Sequence, residues 1–542
     1  MPPGKPLQPV LRMKVDELFL RWLSDPGTQD ALREGLRRLQ AGDGDPDVIT
    51  GGDPDSVRAD LIGRGDVIAR GDVITGAPFA QPASPLDITG CRRASRKTKV
   101  LQTRNHEPPL APPPPPPTAA LPPGLAVPAF FFPRGRPGAG PDLDDIIARV
   151  ERVFAGFESQ RAGPRDMGVV AKACGCPLYW KAPLFFAVGG PRTGSVSVHK
   201  FLAMWRNVLV TCHDDAARFM QLLSVPGGRG LAQEDFLPLL QDVVHTHPGL
   251  AFLKEAPEFH SRYITTVTQR IFYSVNRSWS GRITCAELRR SRFLQEVARL
   301  EAEPDVNRLP EFFSYAHFYV IYVTFWGLDG DHDLMIDRRD MGRHGDGAIS
   351  SRVIDRIFSG AVTRGRSVHS LGKLSFADFV WFLISEEDKT TPTSIEYWFR
   401  CLDLDGDGVL SMFELEFFYE EQARRLEARG IEPLPFRDLA CQMLDMVNPR
   451  VPGQITLRDL KRCAMAATFL DAFINADKFL EREQREQGAG PARDVDPAGP
   501  ELSDWDRFAA EEYEALVAEE EEDAPESLLD LEFAIGDDLE PL

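Results

Sequence analysis

The chain has 542 residues, with 82 Asp and Glu against 62 Lys and Arg and a formal net charge of -20. That length carries two or more globular units with sizeable cores. The acidic balance argues against general nucleic-acid or anionic-membrane binding and suits cations or basic partners. Eight cysteines stand singly apart from Cys174-Gly-Cys176, with no CxxC pair or regular framework, so free thiols in a reducing compartment are expected and no zinc site is implied.

The opening residues MPPGKPLQPVLRMKVDELFLRWLSD break their apolar positions with charge every few residues, which predicts neither a signal peptide nor a spanning helix. Residues 1–40 read as a short amphipathic segment of a soluble chain made in the cytosol. From 41 to 126 the composition shifts to Gly, Asp, Pro and Ser and ends near six prolines, Pro112 to Pro117. Such a stretch buries too little apolar surface to offset its ordering entropy, so a disordered linker is expected, stiffened toward polyproline II around the prolines. Within it lies one dense basic run, Arg92, Arg93, Arg96, Lys97 and Lys99, with Ser95 behind the two arginines. Two readings stay open: a nuclear localisation signal that phosphorylation could weaken, or a solvated linker in a cytoplasmic protein.

Beyond residue 127 apolar residues recur at three- and four-residue spacing, which predicts a mainly α-helical body. We expect an elongated array of paired EF-hand-like helix-loop-helix units: an N-terminal helical domain over 127–315 and a C-terminal domain over 316–487. An acidic tail, 488–542, follows and is expected to be largely solvated, with DWDRFAAEEYEAL as a candidate docking helix.

The stretch DLDGDGVLSMFE, Asp403 to Glu414, concentrates like charge in one turn. Calcium takes six to eight oxygens, which a twelve-residue loop supplies from positions 1, 3, 5, 7, 9 and 12, with glycine at 6. Asp403, Asp405, Asp407, the Val409 carbonyl, Ser411 and Glu414 fill those positions, and Gly408 makes the turn. Helical flanks complete an EF-hand in which a dication offsets the repulsion. An earlier copy, DGDHDLMIDRRD, keeps Asp329, Asp331, Asp333, the Met335 carbonyl and Asp337, then departs. Leu334 replaces the glycine, at a cost of about 1–2 kcal/mol if the backbone turns left-handed, and Asp340 closes with a shorter reach. Two calcium sites are therefore expected, the later stronger and the earlier weaker or more tolerant of magnesium.

Three more loops keep the frame without the charge: Asn276 to Glu287, Ser367 to Asp378 and Asn448 to Asp459, with a weaker echo at 189–200. One acid and a few hydroxyls do not hold a cation against its hydration, so these read as structural hands. Each acidic loop precedes a degenerate one, 329 with 367 and 403 with 448, which predicts pairing through the position-8 backbones. No P-loop, HExxH, GxSxG or kinase signature occurs, and His213-Asp214-Asp215 reads as a solvated helix face; no catalytic residue is assigned.

The segments FYVIYVTFWGLDGDHDLMID (318–337), RIFSGAVTRG (356–365), LSFADFVWFLISEEDKTTPTSIEYWFRCLDLDGDGVLSMFELEFFYEEQ (374–422), GCPLYWKAP (175–183) and SDWDRFAAEEYE (503–514) closely resemble the B-double-prime regulatory subunits of protein phosphatase 2A. The resemblance implies a non-catalytic subunit that docks on a HEAT-repeat scaffold, contacts the serine/threonine phosphatase catalytic subunit and brings phosphoprotein substrates to it, with calcium tuning assembly. The alternative is a free-standing EF-hand calcium sensor. Phe130, Phe131 and Phe132, bounded by Pro128 and Pro133, form an aromatic run where the linker meets the body. It is either an anchor on the scaffold or a strap over this chain's own core; the resemblance favours the anchor.

Overall fold

The computed structural model describes residues 132–136, 143–224, 228, 230–362, 372–488 and 502–522. The amphipathic segment 1–40, the linker 41–126 with its basic run, Phe130 and Phe131 lie outside the described residues.

The described chain is mostly helical, and its strands are two- or three-residue pairs between loops. Periodicity explains which helix faces turn inward. In Ser351–Phe358 the buried residues are Val353, Ile354, Ile357 and Phe358, and in Leu143–Ala155 they are Ile146, Ile147, Val150 and Phe154, each set one apolar stripe. Side-chain caps fix where helices begin: Ser314 accepts from the amide of His317, and Thr391, ahead of Pro392, accepts from Ser394.

Short antiparallel pairings tie the loops together two by two. β1 (Arg161–Ala162) pairs with β2 (Val196–Ser197), β3 (Met335–Ile336) with β4 (Leu374–Ser375), and β5 (Val409–Ser411) with β6 (Gln454–Thr456). The register sets Ile336 opposite Leu374 and Leu410 opposite Ile455, which is the position-8 pairing expected of the last four loops. A further couple is joined by a single bridge between Leu231 and Ile283. Counting back seven residues from Ala162 and Leu231 reveals two hands that sequence reading passed over, 155–166 and 224–235. Among the described residues four couples of loops are thus joined at position 8, with 224–235 and 367–378 described only in part. Every position-8 side chain, from Ala162 to Ile455, is buried where its two loops meet.

Position 6 imposes its own requirement. Gly194, Gly281, Gly372, Gly408 and Gly453 all have φ between 69° and 83°, a region costly for any residue with a Cβ. Gln160, at φ 53°, and Leu334, at φ 66°, occupy the same position without being glycine. The expected strain at Leu334 is therefore present.

The helix Tyr315–Leu328 is apolar on all sides, so it needs cover on all sides. One face is supplied by the C-terminal helix Asp504–Glu522, which buries Trp505, Ala509 and Tyr513. Trp505 Nε1 donates to His317 Nδ1 at 3.2 Å, so His317 is a satisfied core residue. The DWDRFAAEEYEAL segment lies within the helix Asp504–Glu522, which docks on the chain's own body; residues 489–501 and 523–542 of the tail lie outside the described residues.

A charged cluster lies in the apolar interior. Lys389, 1% exposed, places Nζ 2.8 Å from Glu386 Oε2 and 2.9 Å from Asp471 Oδ1. Lys478 reaches Glu386 and Glu387 at 3.3 and 2.8 Å, and Arg482 Nε reaches Asp471 Oδ2 at 2.7 Å. These contacts couple the end of helix Phe376–Glu387 to helices Ala466–Ile474 and Ala476–Gly488.

Of His213-Asp214-Asp215, His213 and Asp215 are exposed, as expected of a solvated face, while Asp214 is half-buried and structural. Asp214 caps helix Asp215–Leu223, accepting from Ala217 N at 2.8 Å, and pairs with Arg289 at the same distance. The His213 amide donates to the Arg134 carbonyl and Arg289 Nη2 to that of Pro133, which pins residues 132–136 to the body. Phe132 itself is half-buried.

Candidate metal centre

Helix Pro392–Leu402 delivers Asp403 to the start of the later acidic loop, and helix Met412–Ala428 begins at its end. Asp403 is 8% exposed; its Oδ1 accepts from Gly406 N at 2.8 Å and its Oδ2 from Gly408 N at 3.0 Å. Asp405 accepts from Asp407 N and Asp407 from Val409 N, the aspartate turns that curl the loop. Glu414 closes the loop from both sides. Its Oε1 accepts from Leu404 N at 2.7 Å, and its Oε2 accepts from the amide and hydroxyl of Ser411, both at 2.8 Å, forming a capping box. Asp403, Asp405 and Glu414 each present a carboxylate oxygen within 4.8 Å of the others; Asp407 is not part of that set. Burial, with the like charge of Glu414 and Asp407, pushes the Asp403 carboxyl up against the pull of the Gly408 and Gly406 amides. A dication relieves that repulsion, and all these donors are the hard oxygens that calcium prefers.

The earlier loop brings Asp329, Asp331 and Asp333 together within the same 4.8 Å. Asp329 is completely buried; Oδ2 accepts from Leu334 N at 2.8 Å, while Oδ1 is buried with no hydrogen-bond donor. A buried carboxylate oxygen without a donor is costly, and a cation would satisfy it, so these residues fit a metal. The closing end is built differently. Asp337 caps Arg338–Met341, and Asp340 accepts from Asp337 N through Oδ2 and from Arg343 Nη2, at 2.8 Å, through Oδ1. Asp340 thus forms the same capping box as Glu414, but its other oxygen is taken by Arg343 and it is not part of the set of three aspartates. Lys373, on the partner loop, reaches Asp333 and lies 4.0 Å from Asp331.

The loop 276–287 shows what a degenerate hand does with the same frame. The Asn276 amide nitrogen donates to Ser278 Oγ, Ser280 Oγ, the Arg282 carbonyl and Glu287 Oε1, at 3.1, 3.3, 2.8 and 3.3 Å. Those are positions 3, 5, 7 and 12, so an amide occupies the role of the ion.

Among known proteins, a family model described as "EF-hand domain" matches residues 214–303, and one described as "P2R3B, EF-hand" matches residues 149–208. The human B''-type regulatory subunit of serine/threonine-protein phosphatase 2A, in its beta form, is 60% identical over 533 residues, 96% of this chain and 90% of the relative. This chain belongs to the B'' regulatory subunits of protein phosphatase 2A. The delta form of the same B'' type from mouse is 68% identical over 432 residues, 78% of this chain and 88% of the relative. A solved chain of a PP2A PR70 holoenzyme is 67% identical and covers 50% of this chain and 99% of its own length, with a TM-score of 0.48.

In this B'' chain the two family models fall on the two couples with the least charged loops, 155–166 with 189–200 and 224–235 with 276–287. The missed hands had two usable signals. Asp166 and Asp235 stand at position 12, accepting from Gly163 N and Ala232 N, and an apolar residue stands at position 8.

Proposed function

We propose that this chain is the calcium-responsive, non-catalytic regulatory subunit of a protein phosphatase 2A heterotrimer, binding its HEAT-repeat scaffold and its catalytic subunit and steering the choice of phosphoprotein substrates. The observation that carries the reading is 60% identity to a human B'' relative across 96% of the chain. Calcium would be held by Asp403, Asp405, Asp407, Ser411, Glu414 and the Val409 carbonyl, and more weakly by Asp329, Asp331, Asp333, Asp337 and the Met335 carbonyl. The contrast between Glu414, which spans its loop, and Asp340, which is tied to Arg343, supports that ranking. Bound calcium supplies the positive charge that lets each acidic loop hold its two helices at one angle. The chain's own residues do the rest: Leu410 against Ile455 and Ile336 against Leu374 carry that angle to the paired hand.

The test is a pull-down of the tagged full chain from cell extract in calcium and in chelator. Scaffold and catalytic subunit in stoichiometric amounts, reduced by chelator, support the reading; a chain recovered without phosphatase in both conditions leaves the free-standing sensor. The aromatic run Phe130, Phe131 and Phe132 is proposed as part of the scaffold anchor, an assignment lost if replacing all three by alanine leaves scaffold affinity unchanged. The basic run 92–99 is proposed to direct the assembly to the nucleus, and a fluorescent fusion that stays nuclear after neutralising its five cations would remove that role.

A further inference from the structure

The two acidic loops are matched hands in matched couples, yet their partner loops differ at one position that faces the site. Residue 7 of the degenerate loop lies across the strand pair from position 9 of the acidic loop. The register that pairs Met335 with Ser375 and Ile336 with Leu374 brings Lys373 opposite Asp337, and the one that pairs Ser411 with Gln454 brings a neutral amide to the equivalent place. The Lys373 ammonium bonds Asp333 and stands 4.0 Å from Asp331, two of the three aspartates gathered in that loop. Around the later loop the carboxylate oxygens of Asp403, Asp405, Asp407 and Glu414 accept, among the described residues, only from backbone amides and the Ser411 hydroxyl. The two loops thus carry similar acidic frames, and among the described residues only the earlier of the two has a side-chain cation on its ligand oxygens. The third arrangement, at 276–287, has an amide nitrogen permanently filling the centre.

We infer that Lys373 is a tethered competitor for the earlier metal site: it neutralises Asp331 and Asp333 when the loop is ion-free and must leave them for calcium to enter. The inference rests on the reading that the 329 loop binds calcium. It assigns the weak binding expected there chiefly to a residue of the paired hand, in addition to the departures at Leu334 and Asp340. Because Lys373 precedes β4, its release on metal binding acts on the strand that joins the two hands, coupling occupancy to the couple and not to one loop.

The experiment is calorimetric calcium titration of the full chain carrying Asp403→Ala, which silences the later loop, with Lys373 intact, Lys373→Arg and Lys373→Met. Thermal melting of each is followed in chelator and in calcium. Losing one nearby positive charge should tighten calcium binding by about tenfold in Lys373→Met, while Lys373→Arg stays within a few fold of the parent. In chelator Lys373→Met should melt below the parent, because its aspartates have lost their counter-ion, and in calcium that deficit should vanish or reverse. Equal affinities in the parent and Lys373→Met would overturn the competitor role and leave calcium binding at 329 intact. Absence of calcium binding at this loop in every variant would overturn the underlying reading and the proposal with it.

Discussion

Replacing Lys389 by methionine removes the cation at the centre of the buried cluster while keeping its length and apolar stem. Lys389 is 1% exposed, and its loss leaves Glu386 and Asp471, 1% and 0% exposed, without the ammonium 2.8–2.9 Å away. Breaking a buried ion pair from one side costs about 3–5 kcal/mol, because the remaining charge is uncompensated. The lower end applies here, since Lys478 still stands 3.3 Å from Glu386 and Arg482 2.7 Å from Asp471. About 3 kcal/mol translates into a fall in melting temperature of roughly 6–12 °C for a cooperative unit of this size. The assay is thermal and urea unfolding of the full chain at fixed calcium. The pH profile is a second check: burial raises the Glu386 carboxyl, but Lys389 and then Lys478 outweigh it and hold it down to about 2. A lowered native value means that this stability is present above the ordinary glutamate value and is lost as pH falls from there through about 2. Without Lys389 less of that lowering remains, so the deficit of Lys389→Met against the parent should shrink as pH falls through this range and its acid limb should be shallower. Unchanged melting and an unchanged acid limb would refute the claim that the cluster couples these helices.

Glu414→Gln keeps the side chain's length but removes its charge, and should weaken calcium at the later loop by about ten- to hundredfold, read by calorimetry in an Asp329→Ala background. Leu334→Gly relieves a φ of 66° at a side chain 41% exposed, and should tighten calcium at the earlier loop by several fold with little change in melting, because glycine's freedom in the unfolded chain offsets part of the gain. Trp505→Ala removes a buried indole and its bond to His317, a loss of about 3–5 kcal/mol in local packing. Amide exchange across 504–522 should rise sharply while the loop 403–414 keeps its protection in calcium.

Much of the metal centre was legible in the order of residues because an EF-hand gathers its ligands from twelve consecutive positions. The aspartates of 403–407, the glycine that turns them and the closing Glu414 needed no distant contact to be found, and the alternation of charged and degenerate loops foretold which would pair. The hands at 155–166 and 224–235 escaped notice because Gln160 and Arg229 stand where glycine was sought and neither loop has a carboxylate at positions 1, 3 or 5. Three things were decided only by the assembled fold. The cover of Tyr315–Leu328 by Asp504–Glu522 joins segments far apart in the chain. The charges at 386, 389, 471, 478 and 482 become one cluster only when three helices meet. The contact of Lys373 with Asp333 exists only because the paired loop brings that lysine to the earlier site. Local chemistry writes a ligand set into adjacent residues, whereas burial and charge compensation depend on which surfaces meet, and that is a property of the packed chain.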